Sequence, residues 1–166
     1  MTQMKKRAQC FLVLLFAGLA WCNAAIAEPA PSFPVPTAQG NVPLSELSGS
    51  VVYVDFWASW CTPCRKSFPW MNKMQEKYGK LGLIVVGVNV DSERKLADAF
   101  LAETPASFPI AYDQEGKLAS EYGLVGMPTS FLVDQNGQIA QRHVGFRAED
   151  ADEIEAEIKK LLLTGP

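Results

Sequence analysis

Apolar residues along this chain fall into two kinds of run. Val51 to Trp57 (Val-Val-Tyr-Val-Asp-Phe-Trp) is continuous, β-branched and aromatic, the pattern of a strand covered on both faces. Leu83 to Val90 repeats that pattern. Between them the period changes: Phe68, Met71, Met74 and Tyr78 recur at helical spacing across Arg65 to Tyr78. A helix-length crossover between two buried strands implies that the strands are parallel. Asp91-Ser92 supplies cap residues for a helix through about Glu103, with Leu96, Ala99 and Phe100 on one face. Ile110 to Tyr112 reads as a short strand and Lys117 to Tyr122 as a short helix. Ser130 to Val133 and Ile139 to Val144 flank Asp134-Gln135-Asn136-Gly137, where Asn-Gly favours a tight hairpin. Ala148 to Leu163 is helical, with a stripe of Ile154, Ile158, Leu161 and Leu162. The expected class is α/β, a central mixed sheet with helices on both faces.

The N-terminus follows a different logic. Lys5, Lys6 and Arg7 form a positive start, Phe11 to Trp21 is apolar, and Ala25-Ile26-Ala27 is a small-x-small cleavage signal. Residues 1–27 therefore read as a secretory signal peptide. The apolar stretch is short of the roughly 20 residues that span a bilayer. Left uncleaved, it would instead act as an N-terminal anchor. Cleavage after Ala27 removes Cys10 and Cys22 and leaves about 139 residues, enough for one domain with a single core. Residues 28–36 hold four prolines and read as an extended lead-in, with the folded domain expected over 37–166. The net charge of −3 grows more negative once the basic leader is lost, so nothing recruits nucleic acid.

The candidate chemistry sits where the first strand meets the first helix. Trp60-Cys61-Thr62-Pro63-Cys64 places two thiols one helical turn apart at that junction. Unpaired N–H groups and the positive end of the helix dipole stabilise a thiolate at a helix start, so Cys61 is the attacking sulfur. Cys64, one turn in, is the resolving one. Zinc is the rival reading of Cys-X-X-Cys, but after the leader His143 is the one remaining soft ligand, so no metal site is expected. A structural disulfide between residues three apart would constrain little unfolded-chain entropy. Asp55, an acid in an apolar strand, pays desolvation, which raises its pKa and leaves its proton available near neutral pH. A local capping or pairing role is the plainer alternative for it. Trp57 and Trp60 flank the thiols as a packing and docking surface. His143 lies on a strand whose alternation suits a solvated face, and is read as a structural or surface histidine.

The run Val54-Asp55-Phe56-Trp57-Ala58-Ser59-Trp60-Cys61-Thr62-Pro63-Cys64, with Pro69 and later Gly126-Met127-Pro128-Thr129, resembles the thioredoxin superfamily. The leader, the segment Val86-Gly87-Val88-Asn89-Val90-Asp91 and the added stretch Arg94 to Glu115 make it similar to the exported TlpA/ResA/DsbE-type members. The resemblance implies a thioredoxin fold with a TlpA-type insertion. It implies Cys61 as nucleophile, Cys64 as resolving thiol, Pro128 as a cis-proline beside them, and a Met127 backbone free to pair with an extended substrate. It places Asp55 behind Cys64 as the group that helps deprotonate it. No cofactor is implied beyond the Cys61-Cys64 disulfide itself.

The same resemblance implies a periplasmic thiol-disulfide oxidoreductase, acting as a monomer on disulfide-containing exported proteins and recharged by a membrane thiol transporter of the DsbD/CcdA kind. Thr62-Pro63 keeps the proline of reducing members and lacks the His of the strongly oxidising one, which favours a reductase. An oxidant of folding proteins and a non-catalytic peptide-binding or chaperone module are the alternatives. Ala58 stands where a peroxiredoxin would place Thr, and no residues remain for an isomerase's dimerisation module. Thr129 departs from the Glu that follows the cis-proline in cytochrome c maturation members, which weakens that assignment.

Overall fold

The computed structural model describes residues 28–165. Residues 1–27, and with them the leader and its cleavage site, lie outside that range. Eight strands and four helices follow in the order β1 (Glu28–Pro29), β2 (Pro34–Thr37), β3 (Gly40–Pro43), β4 (Val51–Trp57), α1 (Cys64–Tyr78), β5 (Leu83–Asn89), α2 (Arg94–Glu103), β6 (Ile110–Tyr112), α3 (Lys117–Glu121), β7 (Thr129–Val133), β8 (Gln138–Val144) and α4 (Ala151–Thr164). Six strands form one mixed sheet in the order β1-β8-β7-β4-β5-β6, and β2 pairs with β3 in a separate hairpin. β4, β5 and β6 are parallel, and β7 runs antiparallel to β4. The α/β class and the mixed sheet are as the sequence pattern implies.

Period-two alternation along the central strands divides the core. Val51, Tyr53 and Trp57 face one side with Leu83 and Val85, where Phe68, Met71 and Met74 of α1, Phe100 of α2 and Ile154 and Ile158 of α4 cover them. Val52, Val54 and Phe56 face the other, against Val86, Val88, Phe131, Tyr122 and residues from the N-terminal segment. All seven residues of β4 are buried, because β5 and β7 flank it and both faces are covered. β6 is too short to cover the whole of β5. Gln75 of α1 reaches that uncovered edge, and its side-chain oxygen accepts the Val85 N–H at 2.8 Å.

Three expectations change. Residues 28–36 are extended but are not a tether: β1 pairs with β8, and Phe33 and Val35 are buried in the second core cluster. The folded domain therefore begins ahead of residue 37. The alternation Phe33, Val35 gives the reason, since an apolar side chain at every second position of an extended segment can coat a sheet face even where proline restricts the backbone. On α2 the buried residues are Ala97 and Phe100, while Leu96 and Ala99 are exposed. Asp91 does not cap that helix. The residue at its N-cap is Glu93, with no side-chain hydrogen bond.

Candidate active site

The site forms at the carboxyl ends of β4 and β5, the end of an open α/β sheet where ligands are generally met. β4 ends at Trp57, the chain turns through Ala58–Trp60, closed by the Cys61 N–H on the Ala58 carbonyl at 3.1 Å, and α1 starts at Cys64. Cys61 and Cys64 are joined in a disulfide with their Cα atoms 5.3 Å apart. Cys61 stands just ahead of the helix rather than on it. Its sulfur accepts the Cys64 backbone N–H at 3.3 Å, a donor at the start of the helix that it shares with the Cys61 carbonyl at 3.2 Å. A sulfur with that donor is favoured as thiolate once the bridge opens. Cys64 is wholly enclosed and Cys61 is 3% exposed, so the outer sulfur is the one an incoming group can reach.

Pro128 arrives from the neighbouring strand. In the register of β4 and β7, Phe56 faces Thr129, so Pro128 continues that pairing toward Trp57 and the dithiol loop. The Met127–Pro128 peptide is cis, as the resemblance implies. The Pro128 carbonyl accepts the Gly145 N–H at 2.7 Å, and the buried Thr129 hydroxyl donates to the Gly126 carbonyl at 2.8 Å, which braces the turn from both sides. Among the described residues no hydrogen bond engages the Met127 backbone. Trp60, next to Cys61, is 68% exposed, and Val125, two residues before Met127, is 78% exposed.

Asp55 shares the sheet face of Tyr53 and Trp57, the face on which α1 packs. It is 1% exposed, and its Oδ2 has no hydrogen-bond partner. Burial pushes its carboxyl well above the usual range, the direction expected from the sequence. Its cross-strand partner Ser130 accepts a hydrogen bond from the Tyr53 hydroxyl at 2.8 Å. Burial first, and the Asp55 charge second, raise the Tyr53 phenol well above its ordinary value, so it serves as a donor.

Other expected roles are redistributed. Trp57 is fully buried in an aromatic cluster with Phe68 and Phe100, at centroid distances of 5.0 and 4.7 Å, and takes no part in a docking surface. On the first turn of α1, Arg65 lies over the Phe100 ring at 4.7 Å and pairs with Glu103 of α2 at 3.0 Å. His143 is half-buried and turned toward α4, its Nε2 2.8 Å from the Glu157 carboxylate but not aligned as a hydrogen bond. It is not on a solvated face. Sequence reading missed Ser59, Asn89 and Asp91, which meet behind the dithiol turn: the Asp91 carboxylate accepts the Ser59 N–H and hydroxyl, both at 2.9 Å, and the Asn89 amide at 2.8 Å. The Val86–Asp91 segment pointed to that region, but an Asp before a helix looks like a cap until tertiary contacts are known.

Comparison with known proteins agrees with this geometry. The Redoxin family pattern matches residues 25–159. The thiol-disulfide oxidoreductase ResA of Bacillus anthracis is 31% identical over 137 residues, 82% of this chain and 78% of that protein. A Chlorobium tepidum structure assigned as a thiol:disulfide interchange protein DsbE superposes with a TM-score of 0.77 at 51% identity, covering 82% of this chain and 96% of that one. StoA of Bacillus subtilis superposes with a TM-score of 0.64 at 26% identity, over 76% and 96% of the two chains. The observed fold is thus the thioredoxin fold that the motifs imply, and the chain belongs to the Redoxin family, as a TlpA/ResA/DsbE-like member of the thioredoxin superfamily.

Proposed function

We propose that this thiol-disulfide oxidoreductase works as a reductase of disulfides in exported proteins on the periplasmic side of the membrane. The observation that carries the reading is the Cys61–Cys64 disulfide at the carboxyl end of β4, its outer sulfur on a helix-start N–H and a buried carboxyl, Asp55, on the face that α1 covers. In the reduced protein the Cys61 thiolate attacks a substrate disulfide, forming a mixed disulfide and expelling one substrate thiolate. Cys64 gives its proton to the Asp55 carboxylate and attacks the Cys61 sulfur, so the second substrate thiolate leaves and the protein disulfide forms. Two electrons pass to the substrate. A membrane thiol transporter of the DsbD/CcdA kind returns them, and the protein acts as a monomer.

Met127 and Trp60 complete the site in this reading. An unpaired Met127 backbone can receive an extended substrate segment as an added strand, with Trp60 as an apolar contact beside it. No helix among the described residues is long and apolar enough to cross a membrane. The exposed Trp60 and Val125 also suit a peptide-binding module without redox chemistry. Cys61→Ala separates the two, because substrate capture survives it in a binding module while disulfide reduction does not.

The deciding measurement is the equilibrium reduction potential of the Cys61/Cys64 pair, titrated against glutathione or dithiothreitol and followed by Trp fluorescence. The expected value lies at or below about −220 mV, in the range of reducing members. A value near about −120 mV would make the protein an oxidant of folding substrates and overturn the reductase direction.

A further inference from the structure

We propose that Asp91, acting through Ser59, is a positioning residue for the dithiol: it holds the Ala58–Trp60 turn so that the Cys61 sulfur stays on the Cys64 N–H after the disulfide has opened. The inference rests on the thiol-disulfide reading of the site. In the oxidised protein the covalent bridge by itself fixes Cys61 against Cys64. Reduction removes that bridge, and the turn must then be held by noncovalent contacts. Trp60 points outward and gives little packing. The Cys61 N–H closes the turn on Ala58, and Ser59 anchors it to the body of the protein through both its backbone N–H and its hydroxyl.

Both anchoring bonds end on one carboxylate, which is itself fixed from behind. Asp91 is 3% exposed; its Oδ2 also accepts the Asn89 side-chain amide, and its own N–H donates to Asn89 Oδ1 at 3.1 Å. Asn89 is the buried last residue of β5, paired in register with Trp57, and its carbonyl accepts the Asp113 N–H at 2.8 Å. The clamp therefore runs from the sheet end, through Asp91, to the residue two before the outer cysteine. Loss of the clamp costs the reduced form more than the oxidised form, because the oxidised turn keeps its covalent restraint. The couple then shifts toward the disulfide, and the Cys61 thiolate loses its N–H donor part of the time.

A positioning role and a simple charge effect predict opposite signs. Removing a nearby carboxylate charge favours a thiolate and moves its titration down. Loosening the turn moves it up. The test uses Ser59→Ala, which changes no charge, and Asp91→Asn. Three readouts are taken: iodoacetamide alkylation of Cys61 against pH, the equilibrium protein(SH)2 + GSSG ⇌ protein(S–S) + 2 GSH, and thermal unfolding in both redox states. The expected result is an upward alkylation midpoint in both variants and a roughly tenfold shift toward the disulfide, about 30 mV more negative. The melting temperature should fall further in the reduced state than in the oxidised one. Equal losses of melting temperature in both states with an unmoved midpoint would leave a merely structural role and overturn the inference. A downward midpoint in Asp91→Asn with none in Ser59→Ala would overturn it in favour of charge. If Asp91→Asn does not fold, Ser59→Ala alone decides. A wild-type chain with no reversible glutathione equilibrium would remove the thiol-disulfide reading itself, whereas a normal wild-type couple with unmoved variants removes only the clamp.

Discussion

An aspartate inside β4 costs free energy whenever it is ionised, because its Oδ2 is buried and no protein group donates a hydrogen bond to it. The cost has a definite pH window. With its folded-state pKa raised, Asp55 contributes its full share of stability below the unfolded carboxylate value of about 3.9, and that share is lost as pH rises through the folded value. Asp55→Asn is therefore expected to stabilise the oxidised protein at pH 7 by about 1–3 kcal/mol. The gain, read from urea midpoints, should shrink toward zero as pH falls below about 4. The same substitution should slow resolution of the mixed disulfide roughly 100-fold, the scale of a lost proton acceptor, as followed by quenched-flow gel analysis. A more stable but slower variant would fit a carboxyl kept for function at the expense of stability. A less stable variant would point to the local pairing role instead. That Asp55 is buried was legible in its apolar neighbours. That Asp91 is buried was not, since Val-Asp-Ser-Glu before a helix carries the same signature as an exposed cap.

Among the elements, β5 shows how packing at the site depends on a missing side chain. Gly87 is the register partner of Asp55, and a Cβ there would lie 2.9 Å from Ile110 Cδ1, 3.0 Å from Trp57 Nε1 and 3.2 Å from Phe108 Cε2. Those rings belong to the aromatic cluster that joins β4, α1 and α2 beneath the dithiol. Gly87→Ala is expected to cost about 1–3 kcal/mol by overpacking, measured as a lower urea midpoint with an unchanged slope. An Ala variant as stable as the parent would mean that Ile110 and Phe108 can move aside. Periodicity placed β4, α1, β5 and the β7–β8 hairpin correctly because each carries its own pattern of burial or turn residues. It misjudged the face of α2. Leu96 and Ala97 are adjacent, and only the docking of Phe100 against Trp57 and Phe68 decides which of them turns inward.

For the molecule as a whole, the domain boundary is the point on which sequence and structure differ most. Phe33 and Val35 fill the core face opposite α1, and β1 adds a sixth strand beside β8. A chain beginning at Thr37 should lose about 3–5 kcal/mol or more, the scale of deleting a large buried side chain, as read by urea unfolding against the chain beginning at Glu28. Equal stability of the two would return residues 28–36 to the status of a tether. By itself the sequence determined the α/β class, the strand-to-helix junction that carries Cys61 and Cys64, and the acid at Asp55, since each depends on local periodicity or on spacings of a few residues. Tertiary structure alone decided that Arg65 is drawn to Glu103, that His143 turns toward Glu157, and that Asp91 reaches back to Ser59. Each of these joins residues from separate elements, and a polar side chain does not reveal its partner until the sheet has brought the two together.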